Sequence, residues 1–79
     1  MYYHDSMLKL GKNNILTKRE NEVLIELVSG YTNRQIAEHL SVSISTIKSI
    51  VEKIYLELEV HNRAELILYS IKNGIVLIE

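Results

Sequence analysis

The chain has 79 residues, of which 47% are hydrophobic, and it carries a formal net charge of −1. That length allows one domain with one small core, in which about 60% of the surface of the unfolded chain becomes buried. The absence of cysteine excludes disulfides and thiolate metal sites, and no apolar run approaches the roughly 20 residues of a membrane-spanning helix.

The first 15 residues show no regular periodicity, and Gly11-Lys12-Asn13-Asn14 has the composition of a loop. We expect residues 1–15 to form a flexible arm and residues 16–79 to form the folded domain. The arm and the start of the domain are basic through Lys9, Lys12, Lys18 and Arg19, whereas residues 20–79 carry five basic and nine acidic side chains. The basic segment suits contact with phosphates, and the acidic body argues against DNA. The sequence shows no signal peptide, which is typical of a cytoplasmic protein.

Three segments begin with a capping box, in which a hydroxyl or amide cap is followed three residues later by glutamate or glutamine. The pairs are Thr17 with Glu20, Thr32 with Gln35, and Asn62 with Glu65. Ser43 caps a further segment, and Gly30 and Gly74 follow helical stretches, where a left-handed residue costs least. The pattern predicts helices at about 18–29, 33–40, 44–58 and 63–73, and therefore an all-α fold.

Apolar side chains recur at helical spacing within these segments. In the third helix they form one stripe, which comprises Ile47, Val51, Ile54 and Leu58. In the fourth helix we expect an inner face of Ala64, Ile67, Leu68 and Ile71, with Leu66 and Tyr69 pointing elsewhere. We expect Arg63 to pair with an acidic residue between the third and fourth helices.

The C-terminal stretch Ile75-Val76-Leu77-Ile78 is too apolar to remain free in water. It folds back on the core or meets a second subunit, and we favour intramolecular packing. A short strand is compatible with its composition, but the sequence offers that strand no visible partner.

The link Ser41-Val42-Ser43 joins a short helix to a longer one, which is the arrangement of a helix-turn-helix DNA reader. On the third helix we expect Lys48 and Ser49 to contact bases and Glu52 to accept a hydrogen bond from a cytosine amino group. The expected phosphate contacts are Thr32, Asn33, Arg34, Ser45, Thr46 and Lys53. The alternative is that Lys48 is only a solvated lysine, and that the hydroxyls of Ser45 and Thr46 bond locally around the cap.

These features resemble the DNA-binding domain of the LuxR/GerE family. The resemblance covers about residues 15–74 without gaps, and its first part is Leu16-Thr17-Lys18-Arg19-Glu20, Val23-Leu24, Gly30, Asn33, Ile36-Ala37, Leu40 and Ser43. Its second part is Thr46-Ile47-Lys48, Ile54, Leu58, Val60 and Arg63-Ala64-Glu65. In length the chain is similar both to free-standing GerE-type regulators and to output domains of response regulators. The resemblance implies that the third helix enters the major groove and that the fourth can pair subunits.

The chain departs from the family at three positions of the third helix. The family often has His where this sequence has Ile50, a polar or basic residue near Glu52, and Lys at Glu57. Since a carboxylate repels phosphates, we expect lower phosphate affinity or a different preferred sequence. For the dimer interface we predict Leu66, Tyr69 and Lys72 on the outer side of the fourth helix.

We therefore predict a transcriptional regulator that binds double-stranded DNA as a homodimer without a cofactor, with RNA polymerase or another regulator as a further partner. One rival is a protein-interaction module with the same fold that has lost duplex binding and modulates another regulator. A second rival is a promoter-reading domain of a sigma factor, whose recognition helix is usually richer in arginine. No catalytic arrangement is visible, and His4, His39 and His61 are too scattered to predict a metal site.

Overall fold

The computed structural model describes residues 8–78, which form four helices and two short strands. In chain order these are β1 (Leu8–Leu10), α1 (Lys18–Val28), α2 (Asn33–Leu40), α3 (Ile44–Leu58), α4 (Arg63–Lys72) and β2 (Val76–Ile78). Each helix begins at the predicted residue, and α1 and α4 each end one residue earlier than predicted. Residues 1–7 of the predicted arm lie outside the described part.

Local side-chain bonds explain where the helices start and stop. Thr17 and Thr32 close full capping boxes with Glu20 and Gln35, and the side chains of Ser43 and Asn62 each accept a bond from a first-turn amide. Past the C-terminal ends of α1 and α4, Gly30 and Gly74 have φ angles of 100° and 69°. All of these caps and glycines lie within a few residues of the helix whose start or end they mark. The sequence pattern could therefore predict where each helix begins and ends.

The core forms where α1 and α2 pack against α3, with α4 closing it from the side of α1. The predicted stripe of α3 is confirmed, since all four of its residues are at most 9% exposed. The other buried apolar residues are Leu16, Val23, Leu24, Leu27, Ile36, Ala37, Val60, Leu66, Ile75 and Val76. This packing holds the opposite side of α3 in solvent.

The predicted inner face of α4 is wrong. Leu66 and Ser70 are fully buried, whereas Leu68 is 61% and Ile71 37% exposed. Apolar residues occur on every side of α4, so its periodicity does not select one face. At the start of α4, the Arg63 guanidinium Nη2 donates to the carbonyl oxygens of Leu27, in the last turn of α1, and of Tyr31, in the loop after it.

The apolar tail pairs with the second half of the predicted arm. β2 runs antiparallel to β1, with Leu8 opposite Ile78 and Leu10 opposite Val76. The tail therefore packs within the chain, as favoured, but the arm provides a partner strand that the sequence pattern did not reveal. Gly11 continues the pairing, because its N–H donates to the carbonyl of Ile75 at 2.8 Å.

The remainder of the arm is also ordered by specific bonds. The side-chain oxygen of Asn13 accepts from the amides of Ile15 and Leu16 at 3.1 and 3.0 Å, and its side-chain nitrogen donates to Asn21 at 3.1 Å. These bonds fix the turn that leads into α1. The flexible segment expected over residues 1–15 is thus structured from Leu8 onward.

Candidate nucleic-acid interface

The turn between α2 and α3 is built from backbone bonds and one left-handed residue. Ser41 has a φ of 58°, and the following amide, of Val42, donates to the carbonyl of Ala37 at 3.0 Å. Ser43 then caps α3 by accepting from the amide of Thr46 at 3.1 Å. Because Ile36 and Ile47 are fully buried in the core, the two helices are held at a fixed angle around this turn.

The predicted contact residues of α3 all lie on its solvent side. Exposed side chains are Ser45, Thr46, Lys48, Ser49, Glu52 and Lys53. Ser45, Ser49 and Glu52 stand at i, i+4 and i+7, so they form one stripe opposite the buried stripe. Their exposure makes them available to a ligand, and whether that ligand is DNA stays a prediction.

The hydroxyls at the start of α3 form a small cluster. The Ser43 hydroxyl oxygen lies 3.0 Å from that of Ser45 and 2.9 Å from that of Thr46. The local bonding that was the alternative for Ser45 and Thr46 is therefore present. A hydroxyl also has a second bonding direction, so an exposed one in this cluster can still meet a phosphate oxygen.

The N-terminus of α2 supplies a second group of polar atoms. The Thr32 side chain accepts from the amide of Gln35 at 3.2 Å, and the Gln35 side chain accepts from the amide of Thr32 at 2.9 Å. The capping role expected for Thr32 is thus present. Asn33 is half-buried and Arg34 is exposed. Their backbone amides belong to the first turn, where a helix offers no internal acceptor, and such amides suit an anion.

Charge is distributed unevenly along the exposed side of α3. Its first two turns carry Lys48 and no acidic residue, whereas Glu52, Lys53 and Glu57 follow, with Glu59 just after the helix. Within residues 8–78, Lys48, Glu52 and Lys53 take part in no ion pair. The N-terminal half of α3 is therefore the half whose electrostatics suit a polyanion.

The basic segment is spread over two elements. Lys9 lies in β1, which packs on β2 and α1, and Lys12 and Lys18 are exposed. The Arg19 guanidinium forms an exposed ion pair with Glu22 at 3.1 Å. Lys12 and Lys18 therefore present their charge to solvent, while that of Arg19 is partly compensated.

Four contacts that the sequence pattern did not reveal join α2 and α4 to α1 and to the loop after it. The imidazole of His39 pairs with the carboxylate of Glu26, and the ring of Tyr31 meets that of His39 edge-on at 4.8 Å. Arg63 does not pair with an acidic residue as predicted, since its Nη2 donates to the carbonyls of Leu27 and Tyr31 at 2.6 Å each. Both partners are backbone oxygens, one in the last turn of α1 and one in the loop after it, which no side-chain pattern indicates.

The predicted dimer residues do not share one surface. Leu66 is fully buried in the core of its own chain, so its assignment to an interface is wrong. Tyr69 is half-buried and Lys72 is exposed, and both line a groove of about 480 Å³. The groove lining comprises Val60, Glu65, Leu68, Tyr69, Lys72 and Asn73.

Two further properties concern residues 8–78 alone. None of their helices is both long and apolar enough to span a membrane. They contain no group of three or more His, Cys, Asp or Glu side chains arranged to hold a metal ion.

Comparison with known proteins identifies relatives of this arrangement. A family model described as bacterial regulatory proteins, luxR family, matches residues 14–70. The chain is 35% identical over 75 residues to a probable transcriptional regulator, ycf29, of Cyanophora paradoxa, with 91% of this chain and 36% of that protein covered. It is 44% identical over 61 residues to the transcriptional regulatory protein DegU of Brevibacillus brevis, with 77% and 26% covered. It is 34% identical over 62 residues to the response regulator protein VraR of Staphylococcus aureus, with 78% and 30% covered. The chain thus spans about a third or less of the length of these relatives.

Proposed function

The chain belongs to the luxR family of bacterial regulatory proteins, and we propose that it regulates transcription by binding specific sequences of double-stranded DNA. It is a regulator of the DNA-binding type and not an enzyme. In the proposed complex α3 lies in the major groove, where Lys48 and Ser49 contact base edges and Glu52 accepts from a cytosine amino group. We also propose a cytoplasmic location, because the family is described as bacterial regulatory proteins and a bacterial chromosome lies in the cytoplasm.

The observation that carries this proposal is the exposed N-terminal half of α3. A fixed turn positions it, its charged side chain Lys48 is free of ion pairs within the described residues, and hydroxyls flank it. The first turn of α2 lies at the end of that helix remote from the turn, and there Thr32, Asn33 and Arg34 would hold phosphate. Thr46 and Lys53 would add phosphate contacts along α3.

We also propose that α4 pairs two copies of the chain in antiparallel orientation. Glu65, Leu68, Tyr69 and Lys72 are spaced at i, i+3, i+4 and i+7, so they form one seam. In a two-fold antiparallel pairing, Leu68 meets the opposite Tyr69, and Glu65 meets the opposite Lys72. The seam is therefore self-complementary in both apolar contact and charge.

The proposal is tested first by selecting binding sites from a random duplex library and then by measuring affinity by fluorescence anisotropy at rising salt. Phosphate contacts release counterions, so we expect the logarithm of the affinity to fall linearly with that of the salt concentration. Replacing Lys48 with Ala should weaken binding to the selected site by about 1–3 kcal/mol if Lys48 makes a bidentate base contact. It should also relax the base preference at one position.

Lys53→Ala is the matched comparison, because it removes the same charge from the same helix. As a phosphate contact it should weaken binding to all sequences alike and lower the salt slope by about one. A folded chain that binds no duplex at low salt would contradict the proposal. So would equal effects of the two variants on base preference.

The acidic second half of α3 favours one alternative, a helix-turn-helix module that modulates another regulator without touching DNA. In that case affinity for a protein partner would persist at salt concentrations that abolish phosphate contacts. Absence of duplex binding together with retained α4 pairing would favour this alternative.

A further inference from the structure

The C-terminal end of α3 carries an apolar surface that the proposed DNA complex does not use. We define the Leu56 patch as Tyr55, Leu56, Glu59, Val60 and His61, which line a groove of about 350 Å³. Leu56 is 78% exposed, more than any other large hydrophobic residue within residues 8–78. A single exposed leucine is ordinary on a protein surface, but one that borders a groove has a place to receive a partner's side chain.

Leu56 lies on the same stripe of α3 as Ser49 and Glu52, but one turn beyond Glu52 toward the C-terminus of the helix. It follows Ser49 by seven residues, which places it about 10 Å further along the helix axis. The acidic residues Glu52, Glu57 and Glu59 surround it within about one helical turn, against a single basic residue, Lys53. Carboxylates repel phosphates, so Glu57 and Glu59, which lie beyond the proposed DNA contacts of Glu52 and Lys53, make the last turn of α3 unfavourable for close contact with a duplex.

The same charges argue against a second copy of the chain as the occupant. Two-fold pairing through this patch would bring identical carboxylates together. By contrast, the α4 seam contains both Glu65 and Lys72 and so carries both signs of charge. The Leu56 patch adjoins that seam at Val60, which lines both grooves, and at His61, whose backbone amide donates to the Glu65 carboxylate at 2.8 Å.

We propose that the Leu56 patch binds a cationic amphipathic helix of a partner protein. Apolar side chains of that helix would enter the groove over Leu56 and Val60, and its lysine or arginine side chains would meet the surrounding carboxylates. The walls of the groove are a helix and the turn after it, with no strand edge to which an extended peptide could add. The carboxylates thus favour a basic partner, and a lining without a strand edge favours a helix over an added strand.

The test uses the intact chain without DNA, so that its outcome is independent of the proposed function. The probe is a synthetic helical peptide with Leu at i, i+3 and i+7 and Lys on its flanks, added to the isotope-labelled chain and followed by NMR. We expect shifts at Tyr55, Leu56, Val60 and His61 and a dissociation constant on the order of 10–100 μM. A peptide with Glu in place of Lys should bind at least about tenfold more weakly, because like charges then meet.

Variants of the chain assign the binding to the patch. Leu56→Ala should weaken binding about tenfold, since it removes the apolar contact of an exposed residue. Ile15→Ala is the control, because Ile15 is also exposed, at 49%, but lies in the turn before α1. The proposal is overturned if the Lys peptide causes no shifts, or if the shifts fall on the α4 seam instead. It is also overturned if the two variants bind the Lys peptide with equal affinity, or if the chain binds the Lys and Glu peptides with equal affinity. Dispersed amide spectra of both variants establish that each remains folded.

Discussion

Ser70 is a buried polar residue that lacks a hydrogen-bond partner within the described part of the chain. Its side chain in α4 is fully buried, and its hydroxyl oxygen is unpaired there. An unsatisfied buried hydroxyl costs about 1–3 kcal/mol, and alanine also favours helix. We therefore expect Ser70→Ala to raise the free energy of unfolding by about 1 kcal/mol, measured by urea denaturation.

Ser29 offers the matched control, because it is also buried but its hydroxyl donates to the carbonyl of Ile25 at 2.7 Å. Ser29→Ala should lower the free energy of unfolding by about 0.5–1.5 kcal/mol. If both substitutions changed the free energy of unfolding equally, the presence or absence of a hydrogen bond to the serine hydroxyl would not determine the effect.

Glu59 ends α3 in a conformation that its side chain disfavours. Its φ is 56°, in the left-handed region, where a residue other than glycine pays roughly 1–2 kcal/mol. We expect Glu59→Gly to stabilise the domain, by about 0.5–1 kcal/mol after the larger chain entropy of glycine is subtracted. The measurement is the midpoint of thermal unfolding.

Glu57→Gly serves as the comparison, since Glu57 lies inside α3, where glycine costs about 1 kcal/mol. Like Glu59→Gly, this substitution removes one glutamate carboxylate from the C-terminal end of α3. A fall in the unfolding midpoint for both variants would mean that Glu59 is not strained.

At the level of elements, the strand pair depends on Gly11. A Cβ added there would lie 2.0 Å from the carbonyl oxygen of Gly74, which is backbone and cannot move aside without moving the strand. Gly11→Ala should therefore separate β1 from β2 and destabilise the domain by about 1–3 kcal/mol. Amide hydrogen exchange should become fast at Leu8–Leu10 and Val76–Ile78, while circular dichroism retains the helical signal.

Gly30 provides a control for the general cost of replacing glycine. Its φ is 100°, but an added Cβ would meet nothing within 4 Å. Gly30→Ala should strain the end of α1 and leave exchange in the strands unchanged. If Gly11→Ala left the strand amides protected, the close approach to Gly74 would not be what holds the pair together.

At the level of the whole molecule, the proposed antiparallel pairing of α4 makes the chain's association sensitive to Leu68. A carboxylate there would be placed against the apolar seam, so Leu68→Glu should raise the dimer dissociation constant at least about tenfold, or about 1.4 kcal/mol. The dimer dissociation constant is measured by sedimentation equilibrium. Leu77→Glu is the control, because Leu77 is exposed, at 41%, but lies in β2.

The charge pattern of the seam tests the orientation of the two copies. Lys72→Glu should weaken association, since it would face the partner's Glu65, and the double variant that also carries Glu65→Lys should recover it. Recovery is expected only if the helices run antiparallel. A double variant that stays as weak as the single one, with an unchanged melting temperature, would contradict this register.

Much of this fold follows from signals that act within a few residues along the chain. Thr17, Thr32, Ser43 and Asn62 satisfy amides within their own first turns, so the sequence predicts where each helix begins. The single apolar stripe of α3 likewise predicts which side is buried. Exposure of Lys48, Ser49 and Glu52 follows from that stripe, because they occupy the opposite side of the same helix.

The remaining features required the relative placement of distant segments. Arg63 at the start of α4 bonds to carbonyls 32 and 36 residues earlier in the chain, and α4 packs on the core with Leu66 buried and Leu68 exposed. Pairing of Leu8–Leu10 with Val76–Ile78 joins the two ends of the described chain. The sequence by itself determined the helices and the solvent side of α3, since caps and periodicity are local. Only the tertiary structure decided the face of α4 and the partner of the tail, because apolar residues on every side of a helix, or in a short strand, fit more than one neighbour.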